Sequence, residues 1–128
     1  MAGARILMVD DDAQVLGLYM KVLVGRGYTV TGTTSGMAAL AAAADGHFDL
    51  AIIDLSMPDT DGFEVLKTLH HATPELKILV MSGAMQGVLL QSASLFGAAA
   101  TLNKPASPEA MIGVVEGLLQ SRASSAGG

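Results

Sequence analysis

The chain of 128 residues has no cysteine and no tryptophan, and only 4% of its residues are aromatic. Without cysteine there is no disulfide and no thiolate chemistry, which agrees with a reducing cytoplasm, where we expect the protein to be located. With so few aromatic residues, the core must consist mainly of Ala, Leu, Val, Ile and Met. The eight methionines are interpreted mostly as core filler, with a sulfur-based binding role as the minor alternative.

Positive charge is also scarce. Lys and Arg together number seven against twelve Asp and Glu, which gives a net charge of −5, and the basic residues are spread from Arg5 to Arg122. No basic patch is therefore available to neutralise phosphates along a nucleic acid. We expect no direct binding of nucleic acid.

A long apolar run is absent as well. The longest stretch without a charged residue, from Ile78 to Asn103, is interrupted by Ser, Gln and Gly and is not continuous enough for a membrane span. Residues 1–5 show no charged segment followed by a long apolar stretch and a cleavage site. We expect no secretion signal and no contact with a membrane.

What the sequence does contain is an alternation of short apolar runs with segments of helical periodicity. Strands are predicted over residues 5–10, 28–32, 50–54, 77–81 and 98–102. Five βα units with short, right-handed connections favour an α/β fold: a doubly wound five-stranded parallel sheet in the flavodoxin-like order 2-1-3-4-5, with helices on both faces. One domain is expected over residues 4–121, and the small polar residues 122–128 are predicted to be a disordered tail.

The boundaries of the predicted helices depend on capping residues. Asp12, Ser35 and Asp61 are predicted N-caps, the last with Glu64 three residues further on, and Gly46 is a predicted C-terminal stop. A further helix is predicted over 86–96, and the last helix is predicted to open at Ser107-Pro108-Glu109.

Polar residues follow four of the predicted strands: Asp10 and Asp11, Asp54, Ser82, and Lys104. Ligands of an open parallel sheet bind in the crevice outside the carboxyl ends of its strands, so we expect these five side chains to converge. Three crowded carboxylates would repel one another and favour a bound cation. Mg²⁺ fits best, with Mn²⁺ as an alternative, because it is usually held by few carboxylates together with waters and phosphate oxygens.

The remaining two side chains suit a phosphoryl group. Lys104 offers a compact positive charge and Ser82 offers a hydroxyl donor. A carboxylate such as that of Asp54 can act as a nucleophile and form an aspartyl-phosphate. The residues alone thus indicate phosphoryl chemistry at this edge of the sheet.

Four segments resemble the signatures of the receiver domain of bacterial two-component response regulators, in particular the single-domain receivers similar to the chemotaxis regulator. They are ILMVDDD at 6–12, DLSMPDTDG at 54–62, MSGA at 81–84 and NKP at 103–105. The resemblance covers residues 4 to about 121 in the order and spacing of that family. It implies a phosphorelay switch that is not an enzyme beyond accepting and hydrolysing its own phosphoryl group.

The resemblance also implies roles for individual residues. Asp54 accepts the phosphoryl group from a phosphohistidine on a sensor histidine kinase or phosphotransfer protein. Asp11, Asp54 and the backbone carbonyl of Ser56 hold Mg²⁺, and Asp10 acts mainly through water. Ser82 and Lys104 bind the phosphoryl oxygens, and the Lys104–Pro105 peptide is cis.

Two positions depart from the pattern of that family. Thr101 stands where an aromatic residue usually reports phosphorylation, and Ala106 replaces a common aromatic residue after Pro105. We therefore expect the switch to operate through Ser82 and Thr101 in another way than usual.

Several other residues receive structural interpretations. Pro58 is expected to stiffen the loop after the third strand, and Gly62 and Pro105 are assigned structural roles. Asp59 is interpreted as a turn residue. The histidines His47, His70 and His71 lie outside the four segments and are given no metal or phosphocarrier role.

Two functional alternatives are kept. The chain could be a receiver cut from a hybrid kinase or a multidomain regulator. It could also be an aspartyl-phosphate phosphatase similar to the haloacid dehalogenases, but that family has a second Asp two residues after the nucleophile, where this chain has Ser56.

A docking surface is predicted over residues 86–118, for a downstream protein partner or for a homodimer. This region has apolar residues such as Leu90 and a stripe of small residues in the last helix, Ala110, Gly113, Val114 and Gly117, away from the predicted core positions Met111, Ile112, Val115 and Leu118. The alternative is a set of scattered surface alanines with no partner.

Overall fold

The computed structural model describes residues 3–55, 62–83 and 93–127, with side chains described as far as residue 120. In this part of the chain, five strands form one parallel sheet in the order β2-β1-β3-β4-β5. The strands are β1 (Arg5–Val9), β2 (Thr29–Thr33), β3 (Leu50–Asp54), β4 (Lys77–Ser82) and β5 (Ala100–Asn103), and the helices are α1 (Ala13–Gly25), α2 (Gly36–Asp45), α3 (Gly62–Ala72) and α4 (Pro108–Gly127). The predicted flavodoxin-like order is confirmed.

Two hydrophobic clusters lie on opposite faces of the sheet, because successive side chains of a strand point to opposite sides. In β1, Ile6 and Met8 belong to the first cluster and Leu7 and Val9 to the second. Residues of α1 and α4 complete the first cluster, and residues of α2 and α3 complete the second. The central strand β3 is buried along its whole length, as expected of a strand covered by helices on both faces.

Helix capping follows the sequence closely. The carboxylate of Asp12 accepts hydrogen bonds from the backbone N–H groups of Gln14 and Val15 at the start of α1. The hydroxyl of Ser35 accepts from the N–H of Ala38, and Gly46 ends α2. These predictions are confirmed, and the hydroxyl of Ser107 likewise accepts from Ala110 N–H, 3.1 Å away, in the first turn of α4. The predicted cap Asp61 lies outside the described residues.

The strand ends differ slightly from the predictions. β2 begins at Thr29 rather than Tyr28, because the N–H of Tyr28 still donates to the carbonyl of Leu23 at the end of α1. β5 begins at Ala100 rather than at residue 98, since the chain turns through Gly97 at a φ of +112° and Ala98 packs on the second cluster.

The prediction of a disordered tail over residues 122–128 is wrong for most of that segment, because α4 continues to Gly127. Ser121 to Ala126 contain neither Pro nor Gly, so nothing in the sequence blocks propagation of the last turns of the helix. Within α4 the buried leucine is Leu119, while Leu118 is half-buried. The spacing 111, 112, 115, 119 follows the period of an α-helix better than the predicted set did.

The predicted helix over 86–96 falls mostly outside the described residues, and its described end at 93–95 is helical. Among the described helices, none combines the length and the apolar composition that crossing a membrane requires.

Candidate functional site

Two buried carboxylates meet at the carboxyl edge of the sheet. Asp10 follows β1 directly, Asp54 ends β3, and the two strands are paired so that Val9 lies opposite Ile53. Asp10 is 2% exposed and Asp54 is 4% exposed. Asp11 is exposed and adds a third carboxylate, and one ligand oxygen from each of these residues lies within 4.8 Å of the others. Over the described residues this is the one such group of acidic or histidine side chains.

Lys104 reaches this group from the end of the edge strand β5. β5 pairs with β4 up to Ser82 and Asn103, and the N–H of Lys104 then donates to the carbonyl of Ser82 over 2.6 Å. The ammonium nitrogen lies 2.7 Å from Asp10 Oδ2 and 3.4 Å from Asp54 Oδ2. One lysine therefore bridges the two buried carboxylates.

Two effects act on the pKa of this lysine in opposite directions. Burial lowers the pKa of Lys104, because it disfavours the charged ammonium, but the hydrogen bond to Asp10 and the negative charges of Asp54 and Asp10 outweigh burial. The net result is a pKa above the usual value of lysine. Lys104 is consequently a permanent positive charge at neutral pH.

The carboxylate of Asp10 is engaged at both oxygens. Oδ1 accepts the N–H of Asp12 over 3.0 Å, and Oδ2 accepts the ammonium of Lys104. Asp11, by contrast, faces solvent. A hard divalent cation such as Mg²⁺ fits this donor set, because it needs one or two carboxylates on an open side where waters can complete its shell. The carbonyl of Ser56, predicted to be a further ligand, lies outside the described residues.

Ser82 and Thr101 are placed differently. Ser82 is fully buried at the end of β4, one residue after Met81, the partner of Asp54 in the sheet. Thr101 is half-buried and lies further back in the sheet, opposite Val80. The structure thus brings Ser82 to the edge that carries the carboxylates. Thr101 lies in the neighbouring strand β5, opposite a residue of β4 that comes before this edge.

Glycine at position 62 is required by the close approach of α3 to the end of β3. A Cβ atom on Gly62 would lie 2.6 Å from Leu55 Cα and 2.9 Å from the carbonyl oxygen of Asp54. Both neighbours are backbone atoms. The Lys104–Pro105 peptide is cis, as the resemblance implied, and Pro58 lies outside the described residues.

One contact near the site was not predictable from the sequence. The hydroxyl of Tyr19 in α1 donates to the carbonyl of Ala106 over 2.7 Å. Tyr19 lies on the buried face of α1, and a buried tyrosine usually needs a partner for its hydroxyl. That rule was the only available signal, and it does not identify a partner 87 residues away.

The histidines take no part in this arrangement. His47 follows α2, and His70 and His71 lie in the last turn of α3.

A protein-family model matches most of the chain. The model of the response regulator receiver domain matches residues 6–116. The chain belongs to this family. It is a receiver domain of two-component signalling, and receiver domains are switches that interact with histidine kinases and downstream effectors rather than enzymes acting on external substrates.

Curated relatives of this receiver domain differ in length. The DNA-binding transcriptional regulator NtrC of Rhizobium meliloti (strain 1021) is 35% identical over 115 residues, which are 90% of this chain and 24% of that protein. The response regulator receiver protein CpdR of Brucella abortus (strain 2308) is 29% identical over 115 residues, which are 90% of this chain and 96% of that protein. The receiver domain therefore spans about a quarter of the first relative and nearly all of the second.

Solved structures show the same fold. A CheY-like receiver domain protein from Methanospirillum hungatei JF-1 superposes with a TM-score of 0.88 at 28% identity, covering 97% of this chain and 99% of that one. NtrX from Brucella abortus superposes with a TM-score of 0.92 at 28% identity, covering 98% of this chain and 28% of that one.

Proposed function

We propose that this receiver domain is a phosphorylation switch whose phosphoacceptor is Asp54. The observation that carries the proposal is the surroundings of that side chain. Asp54 ends the central strand, lies 3.4 Å from the ammonium of Lys104, and shares its edge of the sheet with Asp10 and Asp11. A carboxylate next to a fixed cation and an open acidic group is suited to accept a phosphoryl group from a phosphohistidine.

The transfer follows from the chemistry of these groups. A carboxylate oxygen of Asp54 attacks the phosphorus atom, the P–O bond forms, and the P–N bond to the histidine of the donor breaks. The departing nitrogen keeps the electron pair of that bond and takes up a proton from water, which leaves a neutral imidazole on the donor. Lys104 then pairs with the phosphoryl oxygens, and the hydroxyl of Ser82 donates a hydrogen bond to them.

A divalent cation, Mg²⁺ with Mn²⁺ as the alternative, belongs to the proposal. Asp11, Asp54 and the carbonyl of Ser56 are its proposed ligands, and Asp10 acts through water because both of its oxygens are engaged. When bound, the cation supplies positive charge that offsets the repulsion between carboxylates and phosphoryl oxygens.

Phosphorylation by acetyl phosphate in Mg²⁺ tests the proposal. The wild type should gain one phosphoryl group, seen by mass spectrometry, on a bond that is stable to acid and labile to base. The variant Asp54→Asn should gain none. Asp49→Asn is the matched control, because Asp49 directly precedes the same strand at its opposite end.

Full labelling of Asp54→Asn would refute the assignment of Asp54 as phosphoacceptor. So would a result in which Asp49→Asn loses the label and Asp54→Asn keeps it. The same measurement with the histidine kinases of the source genome would identify the natural donor.

We further propose that the output surface lies within residues 86–118, for a downstream protein or for a homodimer. In the described part of this region, Leu95 is 85% exposed and Phe96 is 41% exposed, and Ala110, Gly113 and Gly117 face solvent in α4. Leu90 lies outside the described residues. If the surface mediates self-association, Leu95→Glu should abolish a phosphorylation-dependent increase in the sedimentation coefficient, while Leu18→Glu, also at an exposed leucine but in α1, should not.

The two groups of relatives suggest two contexts for the switch. Similarity to CpdR and CheY along nearly their whole lengths supports a stand-alone receiver. Similarity to about a quarter of the length of two NtrC regulators supports a receiver that controls further domains of a longer protein. Immunoblotting of the native protein distinguishes the two by its mass.

A further inference from the structure

The hydrogen bond between Tyr19 and Ala106 joins the first helix to the segment that carries Lys104. Its length is 2.7 Å, and the tyrosine that donates it is 5% exposed. Ala106 is two residues after Lys104. The contact therefore anchors the chain just beyond the lysine that bridges Asp10 and Asp54.

The segment from Asn103 to Ala106 is held at both ends. At its beginning, the N–H of Lys104 donates to the carbonyl of Ser82. At its end, the carbonyl of Ala106 accepts the hydroxyl of Tyr19. The side chain of Ala106 is a single methyl group, which packs against the first hydrophobic cluster but offers little area to hold the segment in place.

The same helix is also connected to Lys104 indirectly, through its N-terminal cap and Asp10. Asp10 accepts the N–H of the capping residue Asp12 with one oxygen and the ammonium of Lys104 with the other. Because α1 is a rigid element, its tie to Ala106 at Tyr19 fixes how far the segment lies from the N-terminus of the helix. That distance in turn fixes how the ammonium reaches Asp10 and Asp54.

We propose that Tyr19 is a positioning residue for Lys104. Its ring, supplied by α1, occupies the core next to the segment, and its hydroxyl holds the backbone at Ala106 so that the ammonium points between the two carboxylates. The inference rests on the proposed function, in which Lys104 acts on the phosphoryl group. It adds that the reach of this lysine is set from α1.

The variant Tyr19→Phe isolates the hydroxyl, because it keeps the ring and removes only the donor. Beryllofluoride, a stable mimic of the phosphoryl group, serves as the probe in the presence of Mg²⁺, with binding measured by calorimetry. Tyr19→Phe should weaken binding by about fivefold, the effect of losing one hydrogen bond of ordinary net strength. In a Lys104→Met background the same change should weaken binding by less than about twofold, because a residue that acts through Lys104 has nothing left to position.

Tyr28→Phe is the matched control. Tyr28 is also 5% exposed and belongs to the same hydrophobic cluster. We expect it to leave the affinity for beryllofluoride unchanged. An equal loss for Tyr19→Phe in both backgrounds would mark a general packing role and overturn the proposal.

A second measurement needs no phosphoryl mimic. It tests whether Tyr19 positions Lys104 even if Lys104→Met binds beryllofluoride too weakly for calorimetry. The nitrogen resonance of the Lys104 ammonium, recorded at one pH on the protein alone, should shift in Tyr19→Phe and stay in place in Tyr28→Phe. An unchanged resonance in Tyr19→Phe would refute the positioning role. Failure of the wild type to bind beryllofluoride would instead refute the proposed function, while the resonance would still test Tyr19.

Discussion

The ammonium nitrogen of Lys104 lies 2.7 Å from the carboxylate of Asp10. Its distance to the carboxylate of Asp54 is longer, 3.4 Å. The lysine is thus paired most closely with the carboxylate that is also tied to the cap of α1, and less closely with the proposed phosphoacceptor.

Removal of this bridge should destabilise the protein when no divalent cation is present. Lys104→Met leaves two buried carboxylates without their cation, so we expect a loss of about 2 kcal/mol in the free energy of unfolding. Added MgCl₂ should restore more stability to the variant than to the wild type, since a cation then replaces the missing charge. Urea unfolding with and without MgCl₂ measures both effects.

An exposed lysine provides the control for that experiment. Lys67 pairs with Glu64 one turn away in α3, and both side chains are largely exposed. Lys67→Met should change the free energy of unfolding by no more than about 0.5 kcal/mol. If the two lysine variants behaved alike, the bridge between Asp10 and Asp54 would have no energetic role.

The raised pKa of Lys104 predicts a dependence of stability on alkaline pH. Because the folded-state pKa lies above that of the unfolded chain, about 10.4, the stabilisation is complete below that value and is lost as the pH rises through the folded-state pKa. The difference in unfolding free energy between wild type and Lys104→Met should stay constant from about pH 7 to about pH 10 and then narrow. If the difference in unfolding free energy began to narrow near neutral pH, the pKa of Lys104 would not be raised.

Two adjacent aspartates should have separable roles. Asp11→Ala should weaken the binding of Mg²⁺ by more than about tenfold, because even the outer partners of metal ligands have effects of that size. Asp12→Ala removes the cap of α1 and should cost about 1 kcal/mol of stability without that loss of affinity. Calorimetric titration with MgCl₂ and thermal unfolding of both variants distinguish the roles, and equal affinities in wild type and Asp11→Ala would exclude Asp11 as a ligand.

Gly62 should tolerate no side chain. Gly62→Ala forces a Cβ against the backbone of Leu55 and Asp54, so we expect a destabilisation of about 1 to 3 kcal/mol and slower phosphorylation of Asp54. Gly113→Ala in α4 is the control, because a Cβ atom at this position would contact no neighbouring group within 4 Å. Alanine there should stabilise the helix by about 0.5 to 1 kcal/mol. Chemical unfolding compares the two, and a neutral Gly62→Ala would show that α3 shifts freely.

Most of the fold was predictable because it depends on local signals. The run from Leu50 to Asp54 gave β3 with correct ends, and Asp12 and Ser35 gave the starts of two helices. The errors lie where local signals are weak. The alanines at 98–100 do not determine where β5 begins, and the small polar residues at 122–128 are typical of a tail although they are compatible with a helix.

The site was predictable in its members but not in their pairing. Parallel topology alone brings Asp10, Asp54 and Lys104 to one edge. It does not determine that the ammonium lies closer to Asp10, nor that Tyr19 reaches Ala106, because both contacts depend on side-chain packing between residues far apart in the sequence.

Asp10 and the cation that pairs with it lie far apart in the sequence. Both buried carboxylates belong to the first 54 residues, whereas the ammonium comes from a position 94 residues beyond Asp10. Without β5 and the residue that follows it, the sheet would hold two buried carboxylates and lack the ammonium of Lys104. Pairing of β5 with β4 therefore completes the sheet and also supplies the positive charge that this acidic pair requires.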